Sequence, residues 1–208
     1  MVWHSVPSLI QRLYPARIWK KADGDNRVYL TFDDGPVPGV TEFVLEELAK
    51  RDQKATFFVV GDNVRKNLGL AREILDQGHK IGNHTFNHLN GWRTEQGKYL
   101  DNINICEEIL GDLLGIKTHL FRPPYGLISS AQAAEVSKSY QIVMWTMLSG
   151  DYDLRLKPEM IVKKSIKYTA AGSIAVFHDQ QKTKDVLPQI LPQYLDYIRE
   201  KGWKTDLL

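Results

Sequence analysis

Two short stretches concentrate residue types that can do chemistry. Asp33 and Asp34 stand side by side in Thr31-Phe32-Asp33-Asp34-Gly35-Pro36, directly after an apolar run, and His84 and His88 stand four residues apart in His84-Thr85-Phe86-Asn87-His88. Two imidazoles and one carboxylate, here Asp34, make a metal triad with positions left open for water and substrate. Such a set suits zinc, iron(II) or cobalt(II). The other carboxylate, Asp33, can stay off the metal and take a proton from the bound water. Residues at i and i+4 share one helix face, with Cβ atoms about 5–6 Å apart, so both rings can reach one cation. Each stretch alone has a plainer use, as an Asp-Gly turn or a surface His pair. Together, each at the end of an expected strand, they outline the site of a metal-dependent hydrolase.

Further polar residues follow the same rule. Arg122-Pro123-Pro124-Tyr125-Gly126 reads as a rigid loop after a strand. Its arginine can hold a carboxylate, and its prolines fix the backbone so that the next amide can point inward. His178 follows the apolar run Ile174-Ala175-Val176-Phe177, where a general acid could protonate a leaving group, and Asp151 could orient it. Trp92, Trp145 and Tyr152 offer flat faces to sugar rings, although Trp145 sits in an apolar run that suits the core. Cys106, the single cysteine, lies among Ile103, Ile105 and Ile109 and reads as a packing residue.

These residues need elements to hold them. The chain of 208 residues is long enough for one domain with a full core. Strand signals, rich in β-branched and aromatic residues, fall at 27–32, 55–60, 79–83, 118–122, 141–147, 173–177 and 203–206. Helical periodicity falls between them, at 40–51, 70–77, 94–114, 130–139, 158–170 and 185–201, with Thr41 as a cap. Alternation of this kind implies a parallel α/β sheet. The polar residues singled out above lie at carboxyl ends of strands, which converge on one face in a barrel and spread along an edge in an open sheet. The chain is short for eight units, so a smaller, incomplete barrel is expected.

Residues 1–21 form an amphipathic segment expected to pack on a catalytic unit spanning 22–208. Val2, Trp3, Val6, Leu9, Ile10, Leu13 and Tyr14 recur at roughly helical spacing. With Arg17, Lys20 and Lys21 the same segment also has the make-up of an interfacial membrane anchor. It reads poorly as a signal peptide, because Arg12 and Arg17 interrupt its apolar core. A cytoplasmic or peripherally membrane-associated protein is therefore expected, with export by other means left open. The formal charge of +2 gives no field to gather nucleic acid. No apolar run reaches the roughly 18 residues of a membrane span.

The motifs together resemble the polysaccharide deacetylases of carbohydrate esterase family 4, the domain shared with rhizobial chitooligosaccharide deacetylase NodB. The resemblance runs from about Arg27 to the C-terminus. It rests on Thr31-Phe32-Asp33-Asp34-Gly35-Pro36, on the H-[ST]-x-x-H of His84 to His88, on the R-x-P-Y of Arg122 to Tyr125, and on Val176-Phe177-His178 for L-x-H. The family's D-x-x-D-W is altered: Leu148 replaces the first Asp, Asp151 is kept, and Tyr152 replaces Trp. The resemblance implies a distorted (β/α)7 barrel and removal of N-acetyl groups from a glycan containing N-acetylglucosamine. It implies one divalent metal, zinc before cobalt or iron, on Asp34, His84 and His88. Asp33 would be the base, positioned by Arg122, and His178 the acid, tuned by Asp151. The Tyr125 amide would steady the oxyanion, and Tyr152 and Val176 would line the acyl pocket. A hydrolase of another small acylated substrate, or a sugar-binding protein without activity, is the alternative.

Overall fold

The structure is a computed structural model that describes residues 3–21 and 26–208. The expected start of the catalytic unit at residue 22 lies outside the described residues. Eight strands alternate with helices: β1 (Arg27–Asp33), β2 (Thr56–Val59), β3 (Lys80–Asn83), β4 (Leu120–Phe121), β5 (Gln141–Ile142), β6 (Met147–Leu148), β7 (Ile174–His178) and β8 (Lys204–Thr205). The helices are α1 (Ser8–Leu13), α2 (Thr41–Ala49), α3 (Gly61–Lys66), α4 (Leu68–Asp76), α5 (Gln96–Leu114), α6 (Ser130–Val136), α7 (Pro158–Tyr168) and α8 (Leu187–Glu200). The strands pair in parallel in the order β5-β4-β3-β2-β1-β7-β6, with β8 beside β1.

This is the distorted barrel expected from the sequence. β2 is buried at every residue and β1 at all but its first, as strands covered on both faces must be. Outward-facing Leu30, Phe32, Phe57, Val59 and Phe177 meet Val44, Leu48, Leu191 and Tyr194 of α2 and α8 in the largest apolar cluster. A smaller cluster containing Tyr29, Phe58, Leu120, Val143 and Ile174 fills the barrel interior.

The distortion has one source. The single strand expected at 141–147 is two strands, β5 on β4 and β6 on β7, so one run of chain spans both edges of the sheet. The peptides between them pair with the N-terminal segment. Ile18 N–H donates to the Ile142 carbonyl at 2.9 Å, and Met144 N–H donates to the Ile18 carbonyl at 2.7 Å. Ser5 forms an antiparallel bridge with Met147, and Lys20 one with Ser173. Val6 and Ile10 pack inward beside buried Trp19.

Other expectations shift at the ends. Gly61 opens α3, a helix the sequence pattern did not suggest. Thr41 is not a cap: Val40 holds that position, and the Thr41 hydroxyl accepts from Val37 N–H instead. Ser129 caps α6 through a reciprocal capping box with Gln132.

Candidate active site

Strand register delivers the polar residues to one rim. Asp33 is in register with His178 on one side and Phe58 on the other. Neighbouring strands lie about 4.8 Å apart, so register alone sets Asp33 beside His178. Asn83 pairs with Phe121, so the next residues, His84 and Arg122, emerge side by side. They are joined there by a 2.7 Å bond between His84 Nδ1 and the Arg122 carbonyl.

The two histidines do not share a helix face. Residues 84–88 form an irregular loop in which Thr85 and His88 have positive φ, 64° and 56°. Side-chain oxygens hold it: Asn83 Oδ1 accepts from Thr85 N–H, and Asn102 Oδ1 accepts from the N–H groups of Phe86 and Asn87. The rings nevertheless converge, with centroids 5.1 Å apart. His88 Nε2 lies 3.0 Å and His84 Nε2 3.4 Å from Asp34 Oδ1.

Those ligand atoms test what the cluster can hold. Asp34 Oδ1 is buried and accepts no aligned hydrogen bond. His84 Nδ1 faces a carbonyl and must carry the proton, so its Nε2 presents a lone pair. An unpartnered carboxylate oxygen beside two imidazole nitrogens fits a cation, and one ligand atom each of Asp34, His84 and His88 lies within 4.8 Å of the others. Burial opposes ionisation of Asp34, but the adjoining His84 and His88 rings outweigh it, and with His178 they hold its carboxyl well below the ordinary range.

Asp33 is anchored differently. Arg122 is wholly buried, and its Nη1 donates to Asp33 Oδ1 at 2.6 Å and to Thr31 Oγ1 at 2.7 Å. The contact is single rather than bidentate, because Nε and Nη2 go to the carbonyls of Val143 and Met144. The guanidinium also lies 4.1 Å from the Phe58 ring centroid. A fully committed arginine of this kind fixes one carboxylate rotamer.

Opposite stands the third group. Asp151, buried, takes His178 Nδ1 at 2.7 Å through Oδ1 and His178 N–H at 2.8 Å through Oδ2. Burial disfavours the imidazolium, but the charge and hydrogen bond of Asp151, with Asp34 and Asp33 behind, raise the His178 pKa to about 9. Nδ1 is occupied, so Nε2 is the free ring nitrogen. The Tyr152 ring meets the imidazole edge-on, centroids 5.1 Å apart.

All these groups border a cleft of about 780 Å³, with Asp33, Asp34, His84, His88 and His178 on its floor. Tyr125, Trp145, Leu148, Tyr152 and Val176 supply apolar wall. Tyr125 has φ 61° and sets its ring 4.6 Å from His88. Trp92 stands apart: it is exposed on a short turn, Gly91–Arg93, and does not border the cleft.

One residue of the site was not singled out from sequence. Asp179 is fully buried; its Oδ1 accepts from Gly35 N–H at 3.1 Å, and its Oδ2 accepts from Thr41 Oγ1 at 2.6 Å. Its own N–H donates to the Asp33 carbonyl. Asp179 therefore grips the chain on both sides of Asp34, which itself has φ 82°. Burial, with a smaller push from Asp34, raises its pKa to about 8 against the hydrogen bond from Thr41. A signal existed: an acid directly after the apolar strand, as at Asp33.

Comparison with known proteins follows the same outline. Residues 20–145 match the family model described as polysaccharide deacetylase. The chain is 33% identical over 163 residues to the peptidoglycan-N-acetylglucosamine deacetylase PgdA of Listeria monocytogenes, covering 78% of this chain and 34% of that protein. It thus spans about a third of that relative's length. It is 32% identical over 196 residues to a peptidoglycan-N-acetylglucosamine deacetylase of Bacillus cereus, covering 89% of this chain and 88% of the other. The crystal structure of the Bc1960 peptidoglycan N-acetylglucosamine deacetylase superposes with a TM-score of 0.84 at 30% identity, over 98% of this chain and 95% of that one.

Proposed function

The chain belongs to the polysaccharide deacetylase family, carbohydrate esterase family 4, and from that premise we propose that it removes N-acetyl groups from a glycan containing N-acetylglucosamine, releasing acetate. The observation that carries this is the convergence of three units on one cleft: a held carboxylate, a lone-pair cluster and an acid dyad. Relatives named as peptidoglycan deacetylases support peptidoglycan as the glycan.

The donor set of two imidazoles and a carboxylate suits a divalent metal, zinc first, with cobalt(II) and iron(II) as alternatives. Bound there, such an ion supplies Lewis-acid polarisation of the acyl carbonyl and acidifies a water. The protein's own groups do the rest. Asp33, kept in place by Arg122, takes the proton from the attacking water. The Tyr125 amide is the family's donor to the developing oxyanion. His178 Nε2 gives a proton to the departing nitrogen, while Asp151 fixes the tautomer and favours the charged ring. Leu148, Val176 and Trp145 offer the methyl of an acetyl group an apolar surface. Leu148 and Tyr152 depart from the D-x-x-D-W pattern of the motif that the chain otherwise resembles, so acyl choice and glycan shape are the properties expected to differ most.

Acetate release from chitooligosaccharides, peptidoglycan fragments and small aryl acetates, each with and without chelator, tests the reading. Release from glycans, abolished by chelator and restored by zinc, is expected. Turnover confined to small esters would favour the alternative hydrolase, and no turnover of anything would leave a sugar-binding protein.

A further inference from the structure

The N-terminal helix carries more apolar surface than docking requires. On α1 and the residue pair around it, Val6 and Ile10 face inward and pack in the core cluster with Trp19. Leu9 and Leu13, also one turn apart, face outward at 67% and 66% exposure. Trp3 is 59% exposed and Tyr14 42%. Among the described residues, four of the nine large exposed hydrophobic side chains fall within residues 3–14. One apolar stripe seats a helix on a domain; a second is left uncovered by the described residues.

Charge on the segment is as one-sided as its apolar content. Residues 1–21 include Arg12, Arg17, Lys20 and Lys21 and no Asp or Glu, whereas the whole chain is only +2. The remaining residues are therefore net −2, and the four cations share one short segment of sequence with the exposed apolar side chains. The Arg17 guanidinium sits 4.2 Å from the Tyr14 ring centroid, so a cation and an amphipathic ring are presented as a unit.

We propose that this face lies on an anionic lipid bilayer, with Trp3, Leu9, Leu13 and Tyr14 in the headgroup boundary and the basic residues against lipid phosphates. Apolar and aromatic side chains interspersed with Arg12 and Arg17, with no acid between residues 3 and 21, have the chemistry of an interfacial helix. A second copy of this chain is a poor occupant, because it would bring two acid-free basic segments together. The segment is also coupled to the cleft. Leu148 N–H donates to the His4 carbonyl, and His4 Nδ1 meets the Leu148 carbonyl at 3.1 Å. Leu148 lines the cleft, so the site would be carried at a fixed height above the bilayer.

Co-sedimentation with vesicles of phosphatidylcholine alone, and of phosphatidylcholine mixed with phosphatidylglycerol, tests the proposal without reference to turnover. Wild type should bind the mixed vesicles, release in high salt, and ignore phosphatidylcholine alone. Leu9→Gln/Leu13→Gln should reduce binding by tenfold or more, and Arg12→Gln/Arg17→Gln by roughly 25-fold, about fivefold per cation near such a surface. Neither double variant should alter acetate release from a soluble oligosaccharide. Absence of binding to the mixed vesicles, or binding that Leu9→Gln/Leu13→Gln leaves intact, overturns the proposal. So does a wild-type dimer in solution that the leucine variant dissociates, because the face would then be a self-interface.

Discussion

Gly35→Ala should be rescued by a second substitution that is itself damaging. A Cβ on Gly35 would lie 1.9 Å from Asp179 Oδ2, 2.4 Å from its Cγ and 2.6 Å from its Oδ1. The carboxylate cannot step aside without dropping Gly35 N–H and Thr41 Oγ1. Overpacking costs about 1–3 kcal/mol and stranding a buried polar partner about 1–3 kcal/mol, so Gly35→Ala should lose about 4 kcal/mol. Asp179→Ala leaves two donors unmatched and should lose about 3 kcal/mol. It also deletes every atom in the clash. The double variant should therefore lose no more than Asp179→Ala alone, about 3 kcal/mol, which is less than Gly35→Ala and short of the sum by about 4 kcal/mol, because the sum counts the clash and the same two stranded donors twice. Urea unfolding of the four proteins measures the cycle, from midpoints at constant slope. If Gly35→Ala fails to fold, recovery of folded protein in the double variant shows the same coupling. Additivity to within about 0.5 kcal/mol would refute the grip of Asp179 on the Asp33-Asp34 turn.

Three other outcomes follow from the site. Asp33→Asn should keep its metal yet lose about 10²–10⁴ in kcat, the usual share of a general base; normal turnover at normal metal loading would make Asp33 a turn residue. His84→Ala should cut the metal content of purified protein, and equal content in variant and wild type would dismiss the Asp34, His84, His88 cluster as a metal site. His178 must be protonated to act as the acid, and its raised pKa of about 9 sets an alkaline limb in kcat/KM that Asp151→Asn should move to lower pH. Because that folded-state value exceeds the ordinary 6.5, the pair's stabilisation is complete below pH 6.5 and is lost as pH rises through 9. Unfolding of metal-free protein across that window should therefore flatten in Asp151→Asn, and an unchanged slope would remove Asp151 as the cause.

The sequence made the site legible where side-chain type and strand position sufficed. Asp33, Arg122 and His178 lie where carboxyl ends of buried strands converge, and their apolar runs marked those ends. The His84–His88 geometry was not legible from spacing, because i, i+4 implies a helix only if the backbone is helical. Here Asn83 and Asn102 cap the peptides of a loop with two left-handed residues, and those contacts span up to 16 positions. Helix α3 was hidden by its length of six residues, too short for periodicity to show. The broken run at 141–147 looked continuous because its residues suit a strand throughout. What splits it is pairing with Ile18, more than a hundred positions away.

That split makes the backbone of one residue, Met144, a relay. Its N–H is committed to Ile18, and its carbonyl to Arg122 Nη2, whose neighbouring Nη1 holds Asp33. The segment around Ile18, which carries none of the family motifs, therefore helps set the position of Asp33, the proposed base, through three successive hydrogen bonds. The functional unit is larger than the stretch of motifs that identifies it. Drift at Ile18 or Trp19 reaches the chemistry as surely as drift at the cleft, and a graft of this catalytic machinery into another protein must bring its leading segment along.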